Sequence, residues 1–217
     1  GCRVVYNDFD RYIDRLAAVD QTNEILKAIK ERLTGVEPNQ RLTPGQRAEV
    51  LAVVREYEQR DGYVDILTIG RNVLFSGKWV TSLEELCKHT MYNRVRPGAY
   101  ECGGYLDGLE VVHMDYRELF ERERHNSRAL FVLDPPYLTT ECGQYENYWK
   151  LTDYLDVLRL LKGTKYVCFT SDKSQIVELC QWLAGEYRES APMYGAEVRQ
   201  RTNTLNYQAK FNDMMIS

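Results

Sequence analysis

The chain has 217 residues, 44% hydrophobic and 28% charged, with a formal net charge of −4 at pH 7, a size and mix that fit one ordinary globular domain with room for an insertion. No run of about 18 apolar residues occurs, and the start Gly1-Cys2-Arg3-Val4-Val5-Tyr6 lacks the charged-then-apolar layout of a secretory signal, so the expectation is a soluble, cytoplasmic protein without a membrane partner. The slight acidity argues against a wholly electrostatic nucleic-acid binder, because phosphate contacts need clustered Lys and Arg, yet it leaves room for a local basic face.

The first residues read as a strand, Arg3-Val4-Val5-Tyr6, running into the acidic loop Asn7-Asp8-Phe9-Asp10. Apolar positions at Ile13, Leu16, Val19, Ile25, Ile29 and Leu33 then predict helix. Thr34 to Gly45 is polar and holds two prolines, which predicts a loop, and Gln46 to Gln59 reads as the next helix. From about Gly62 to Gly104 periodicity weakens, while aromatic and basic residues interleave through Arg71, Phe75, Lys78, Trp79, Tyr92, Arg94 and Arg96. Residues 34–105 are therefore expected to form an inserted, mostly helical module, with Ser82 or Thr81 capping a helix at Leu83-Glu84-Glu85-Leu86.

Strand and helix then alternate. Leu109 to Met114 is a predicted strand ending at Asp115, Tyr116 to Arg124 a short helix, and Ala129 to Leu133 an apolar strand ending at Asp134. A helix over Tyr148 to Leu161, a strand over Tyr166 to Thr170 and a helix over Ser174 to Gly185 follow, with late strands expected at Tyr187–Ala191 and Phe211–Ile216. This order predicts an α/β fold whose sheet is mainly parallel and covered on both faces. Its catalytic core takes in 1–33 and 106–217. The six cysteines form no CxxC pair and the three histidines stand at no metal spacing. The cysteines read as reduced packing residues, and no metal site is expected.

Ligands of open α/β sheets bind outside the carboxyl ends of strands, the place that Asp134-Pro135-Pro136-Tyr137 takes. The tetrapeptide suits an exocyclic amine, which carries two N–H donors and a lone pair delocalised into its ring. The Asp134 carboxylate and the Pro135 carbonyl can accept one N–H each, orienting the nitrogen and stabilising the positive charge that develops on it. Adjacent prolines stiffen the backbone that presents this carbonyl, and Tyr137 offers a face for a base flipped from the duplex. The polar stretch Thr139 to Tyr145 reads as a loop able to close over such a base, with Tyr145 and Trp149 as a second stacking face.

At these residues the chain resembles the Dam-like class of DNA adenine-N6 methyltransferases, whose hallmark is DPPY. Val4-Val5-Tyr6-Asn7-Asp8 looks like that family's second core strand, which implies that Asp8 binds the ribose hydroxyls of S-adenosylmethionine, with Asp10 as its nearest rival. Val111 to Tyr116 is similar to the strand whose end meets the cofactor's adenine, so Asp115 and Tyr116 are the matching positions; Asp115 equally fits a helix cap. Residues 206–216 look like the family's last hydrophobic strand. The resemblance implies a Rossmann-like methyltransferase sheet, double-stranded DNA as partner, a role in restriction-modification, and a target-recognition module at 34–105. Within that module Lys78, Arg94 and Arg96 are the expected DNA contacts, joined from the later loop by Tyr145, while Tyr92 and Trp79 are candidate wedges. The family's glycine-rich F-x-G-x-G segment and first core strand are not found here, and the expectation is that the sequence is part of a longer protein. The competing reading is a non-catalytic module of methylase fold, for DNA binding or assembly, with an incomplete cofactor site.

Overall fold

The structure is a computed structural model that describes residues 1–75, 78–136, 149–206 and 209–217, with the backbone alone for 203–206 and 209–210. It divides into two compact units, Gly1–Met114 and Asp115–Ser217. No described helix is long and apolar enough to cross a membrane.

In the first unit, strands β1 (Val5–Asn7) and β2 (Glu110–Val112) pair in parallel, with Tyr6 opposite Val111. The Asn7 side chain extends the pairing, donating to the Met114 carbonyl at 2.9 Å and accepting from the Met114 N–H at 3.1 Å. The long helical pattern after β1 breaks at Ala18 into α1 (Tyr12–Ala17) and α2 (Val19–Arg32). Helix α3 (Pro44–Asp61) starts at a capping box in which Thr43 accepts from the Gln46 N–H and Gln46 returns the bond. Ser82 caps α5 (Leu83–Leu86) by accepting from the Glu85 N–H.

Helix α4 (Ile66–Val73) escapes the sequence pattern for a physical reason. It is only eight residues long, shorter than the stretch over which a helical period can be read, and its polar Thr68 and Asn72 are buried together with its apolar residues. Ile25 and Ile29 of α2, Val50 and Val54 of α3 and Ile69 and Val73 of α4 form one core with Leu86 and Met91.

The second unit opens with α6 (Tyr116–Glu123) and holds a four-stranded sheet of order β3-β4-β6-β5, with β3 at Leu130–Leu133, β4 at Lys165–Ser171, β5 at Val198–Asn206 and β6 at Ala209–Ile216. β3 and β4 are parallel, whereas β6 runs antiparallel to both β4 and β5, so the sheet is more mixed than expected. No strand forms at Tyr187–Ala191, where α8 (Gln175–Tyr187) ends in a 3-10 turn over Arg188–Ser190. The missed strand, β5, is the polar run Val198 to Asn206, in which Val198 to Thr202 are all exposed, so the alternation that marks a half-buried strand is lost.

Phe131, Leu133 and Tyr166 face α6 and α7 (Leu151–Leu161), while Ile176 and Cys180 of α8 pack on Tyr154 and Leu158. The alternate positions on β3 break the expectation of cover on both faces: Leu130 stays 57% exposed and Val132 66%.

Candidate active site

Asp134 and Pro135 follow directly on β3, so the parallel pairing of Leu133 with Cys168 fixes where the motif begins. Pro135 lines a narrow apolar cavity with Tyr154, Leu158, Cys168, Ile176 and Cys180, which seats its ring against α7 and α8. That anchoring holds the Asp134–Pro135 backbone, and Asp134 itself stays exposed at the sheet's carboxyl edge. The protein around its carboxyl, and then the Asp213 carboxylate of β6, push the Asp134 pKa above the usual carboxylate range. Asp213 had no signal in the sequence, because only strand register brings it here: it lies opposite Ser171, near the end of β4. Burial also pushes the Cys168 and Cys180 thiols up to about 11, which suits reduced packing cysteines. Tyr137 and Tyr145, with the loop from Thr139, lie outside the described residues.

Tyr116 joins the same cluster as Phe131 and Leu133, its ring stacked on Trp149 with centroids 5.3 Å apart. Burial raises its phenol pKa, opposed by the Arg117 guanidinium over the ring. Trp149 also meets Tyr154 edge-on at 5.3 Å, so it begins the buried side of α7. Asp115 caps α6, accepting from the Arg117 N–H at 2.8 Å, the role that competed with cofactor contact.

In the first unit Asp8 is 2% exposed. Its Oδ1 accepts from the Tyr12 N–H at 2.6 Å and the Tyr6 hydroxyl at 3.3 Å, and its Oδ2 accepts from the Ile13 N–H at 2.8 Å. Burial and this carboxylate push the Tyr6 phenol up to about 12. Both oxygens are thus engaged within the unit. A ring pair that the sequence reading passed over stands beside Asp8: Phe9, largely exposed, stacks on His113 with centroids 5.9 Å apart, and His113 Nδ1 lies 2.9 Å from the Asp8 carbonyl.

Of the cations expected at DNA, Lys78 is exposed, whereas Arg94 is held against the protein, donating to the Leu74 carbonyl at 2.9 Å. Arg96 is exposed and lies over the Tyr100 ring at 4.3 Å, its N–H bonded to the buried Asn72 at 3.1 Å. Among the described residues no cluster of three or more His, Cys, Asp or Glu is placed to hold a metal ion.

No protein-family model matches the chain. It is 36% identical over 186 residues to a Haemophilus influenzae protein named "Putative methyltransferase", an alignment that takes in 83% of this chain and 61% of that protein. The chain thus spans about three fifths of the length of the curated relative it matches. That protein's name specifies neither a methyl donor nor an acceptor.

Proposed function

We propose that this chain carries the target-amine site of an S-adenosylmethionine-dependent methyltransferase of Rossmann-like fold, acting on adenine N6 in double-stranded DNA. The observation that carries the reading is the placement of Asp134 and Pro135 at the carboxyl edge of the parallel β3–β4 pair, with the Pro135 ring seated in the core. The amine is then held between the Asp134 carboxylate and the Pro135 carbonyl, each accepting one N–H, and Asp134 stabilises the charge that grows on nitrogen. Tyr137 supplies the stacking face for the flipped base, and residues 34–105 serve as the target-recognition module.

Toward the cofactor the fit is partial. Asp8 is the ribose-side candidate, although it is 2% exposed and its carboxylate already holds α1, and Asp115 and Tyr116 stand at the start of α6 as the adenine-side candidates. S-adenosylmethionine, when bound, supplies an electrophilic methyl group. The test is incubation of the protein with tritiated S-adenosylmethionine and adenine-containing duplex DNA. Label on adenine N6, lost in Asp134→Ala with DNA affinity nearly intact, is the expected result; no label on adenine overturns the reading.

A second reading, a methylase-fold module for DNA binding or assembly without a complete cofactor site, draws on one observation: the buried Asp8 carboxylate is already engaged by α1. Calorimetry with S-adenosylmethionine separates the two, since tight binding removes the second.

A further inference from the structure

Three short segments of the first unit meet in an antiparallel ribbon, in which Leu74 bridges Met91 and Tyr92 bridges Arg41. The Tyr92 N–H donates to the Val73 carbonyl at 2.7 Å and the Leu42 N–H to the Met91 carbonyl at 2.9 Å, which fixes the register. Side chains alternate across such a ribbon. Leu74 and Met91 point into the core, at 2% and 1% exposure. The opposite side carries Phe75, Tyr92 and Arg41, and there Phe75 is 61% exposed.

An exposed phenylalanine is common as a loose surface residue, but this one is clamped. The Arg94 guanidinium, tied to the Leu74 carbonyl at 2.9 Å, lies 5.5 Å from the Phe75 ring centroid, and the Tyr92 ring stands 5.5 Å away on a tilted plane. The clamp spends an arginine on holding an apolar ring toward solvent. Exposed Arg41, bridged to Tyr92, adds a second cation on this side. A rigid apolar tip framed by positive charge is matched to a polyanion with an apolar interior, in which an inserted ring replaces part of the stacking that it disrupts.

We infer that Phe75 is a wedge that enters a base step of double-stranded DNA, held upright by Arg94 and Tyr92, while Arg41 meets a flanking phosphate. This rests on the reading of the chain as acting on DNA, and names the part of residues 34–105 that meets the duplex. Phosphate neutralisation sets the salt dependence of binding; an inserted ring adds affinity without changing it.

The experiment is fluorescence anisotropy with a labelled mixed-sequence duplex, titrated at several salt concentrations, on the wild type and on Phe75→Ala, Phe75→Trp and Arg41→Gln, each checked for folding by circular dichroism. Phe75→Ala is expected to weaken binding about tenfold with the salt slope unchanged, and Phe75→Trp to retain it. Arg41→Gln is expected to lower the slope by about one. Wild-type affinity in Phe75→Ala, or no duplex binding by the wild type at low salt, overturns the wedge. The tritium assay keeps the two proposals apart: label on adenine with full affinity in Phe75→Ala sinks the wedge alone, and a tenfold loss without any label sinks the methyl-transfer reading alone.

Discussion

The Asp8 carboxylate accepts the Tyr12 backbone N–H at 2.6 Å, so the acid that ends β1 also starts α1. The residue at the helix's own cap position, Arg11, sits at φ 53° and makes no side-chain cap bond. Asp8 takes over that work from four residues upstream, satisfying two of the orphan N–H groups and placing negative charge at the positive end of the helix.

Asp8→Ala therefore weakens the fold whether or not a cofactor binds. The expected loss is about 1–2 kcal/mol, the range for a removed cap, read as a lower urea midpoint at unchanged slope. Asp8→Asn keeps one acceptor and loses less. Equal midpoints for wild type and Asp8→Ala would show that the cap carries no weight.

A second charge holds α1 from the other side. Arg15 Nε lies 3.3 Å from both oxygens of Asp65, whose side chain is 5% exposed against 21% for Arg15, and its Nη2 donates to Thr68 Oγ1 at 3.0 Å. Asp65 also caps α4, accepting from the Thr68 N–H at 3.0 Å. Asp65→Ala strips the cap and leaves the guanidinium without its counter-charge, so the expected cost is about 3–5 kcal/mol, well above that of a surface pair. The double change Arg15→Met, Asp65→Ala recovers part of it. A urea midpoint for Asp65→Ala within the scatter of surface substitutions would contradict this account.

Where a residue acts on its sequence neighbours, the sequence was readable: Ser82 with Glu85 and Asp115 with Arg117 cap helices at the expected starts, whereas α3 begins at Pro44, two residues before the expected Gln46, because its cap Thr43 lay in the stretch read as loop. Legibility failed where burial or register decides. Helix α4 is only eight residues long, so its apolar positions Ile66, Ile69 and Val73 have no room to repeat as a pattern, and its polar Thr68 and Asn72 are buried beside them. β5 has no apolar stripe because successive residues from Val198 to Thr202 are all exposed, so neither of its faces is buried there. Asp134 was visible through its motif, whereas Asp213, which acts on it, lies 79 positions later on a strand whose register no local pattern states.

The open side of β3 has consequences of its own. Val132 and Leu130 stand exposed on a strand that, among the described residues, pairs with β4 alone, and Phe169, on the neighbouring strand, is 40% exposed. An apolar strand with a free edge is a template for pairing with another chain. The 217-residue chain is expected to self-associate as concentration rises, and Val132→Lys to suppress this by placing a charge on the exposed side. Light scattering across a dilution series decides: a wild type that stays monodisperse at every concentration would refute the expectation.

Asp134 must be ionised to stabilise the positive charge that grows on the target amine, and its pKa stands above the usual carboxylate range, first through the protein around its carboxyl and then through Asp213. The acid limb of methyl transfer should therefore lie above that of an ordinary aspartate, and Asp213→Asn, by removing the second cause, should move it to lower pH. The stability sign runs the other way. A carboxyl whose folded pKa is raised binds its proton more tightly in the folded state, so its contribution is present below the unfolded pKa and lost as pH rises through the folded value. Asp134→Asn removes a charge that the fold disfavours at neutral pH, and should leave the unfolding midpoint there unchanged or slightly higher while transfer is lost. Transfer rates across pH for wild type and Asp213→Asn, with urea midpoints for Asp134→Asn, check both halves. An acid limb that does not move in Asp213→Asn would remove Asp213 from the site.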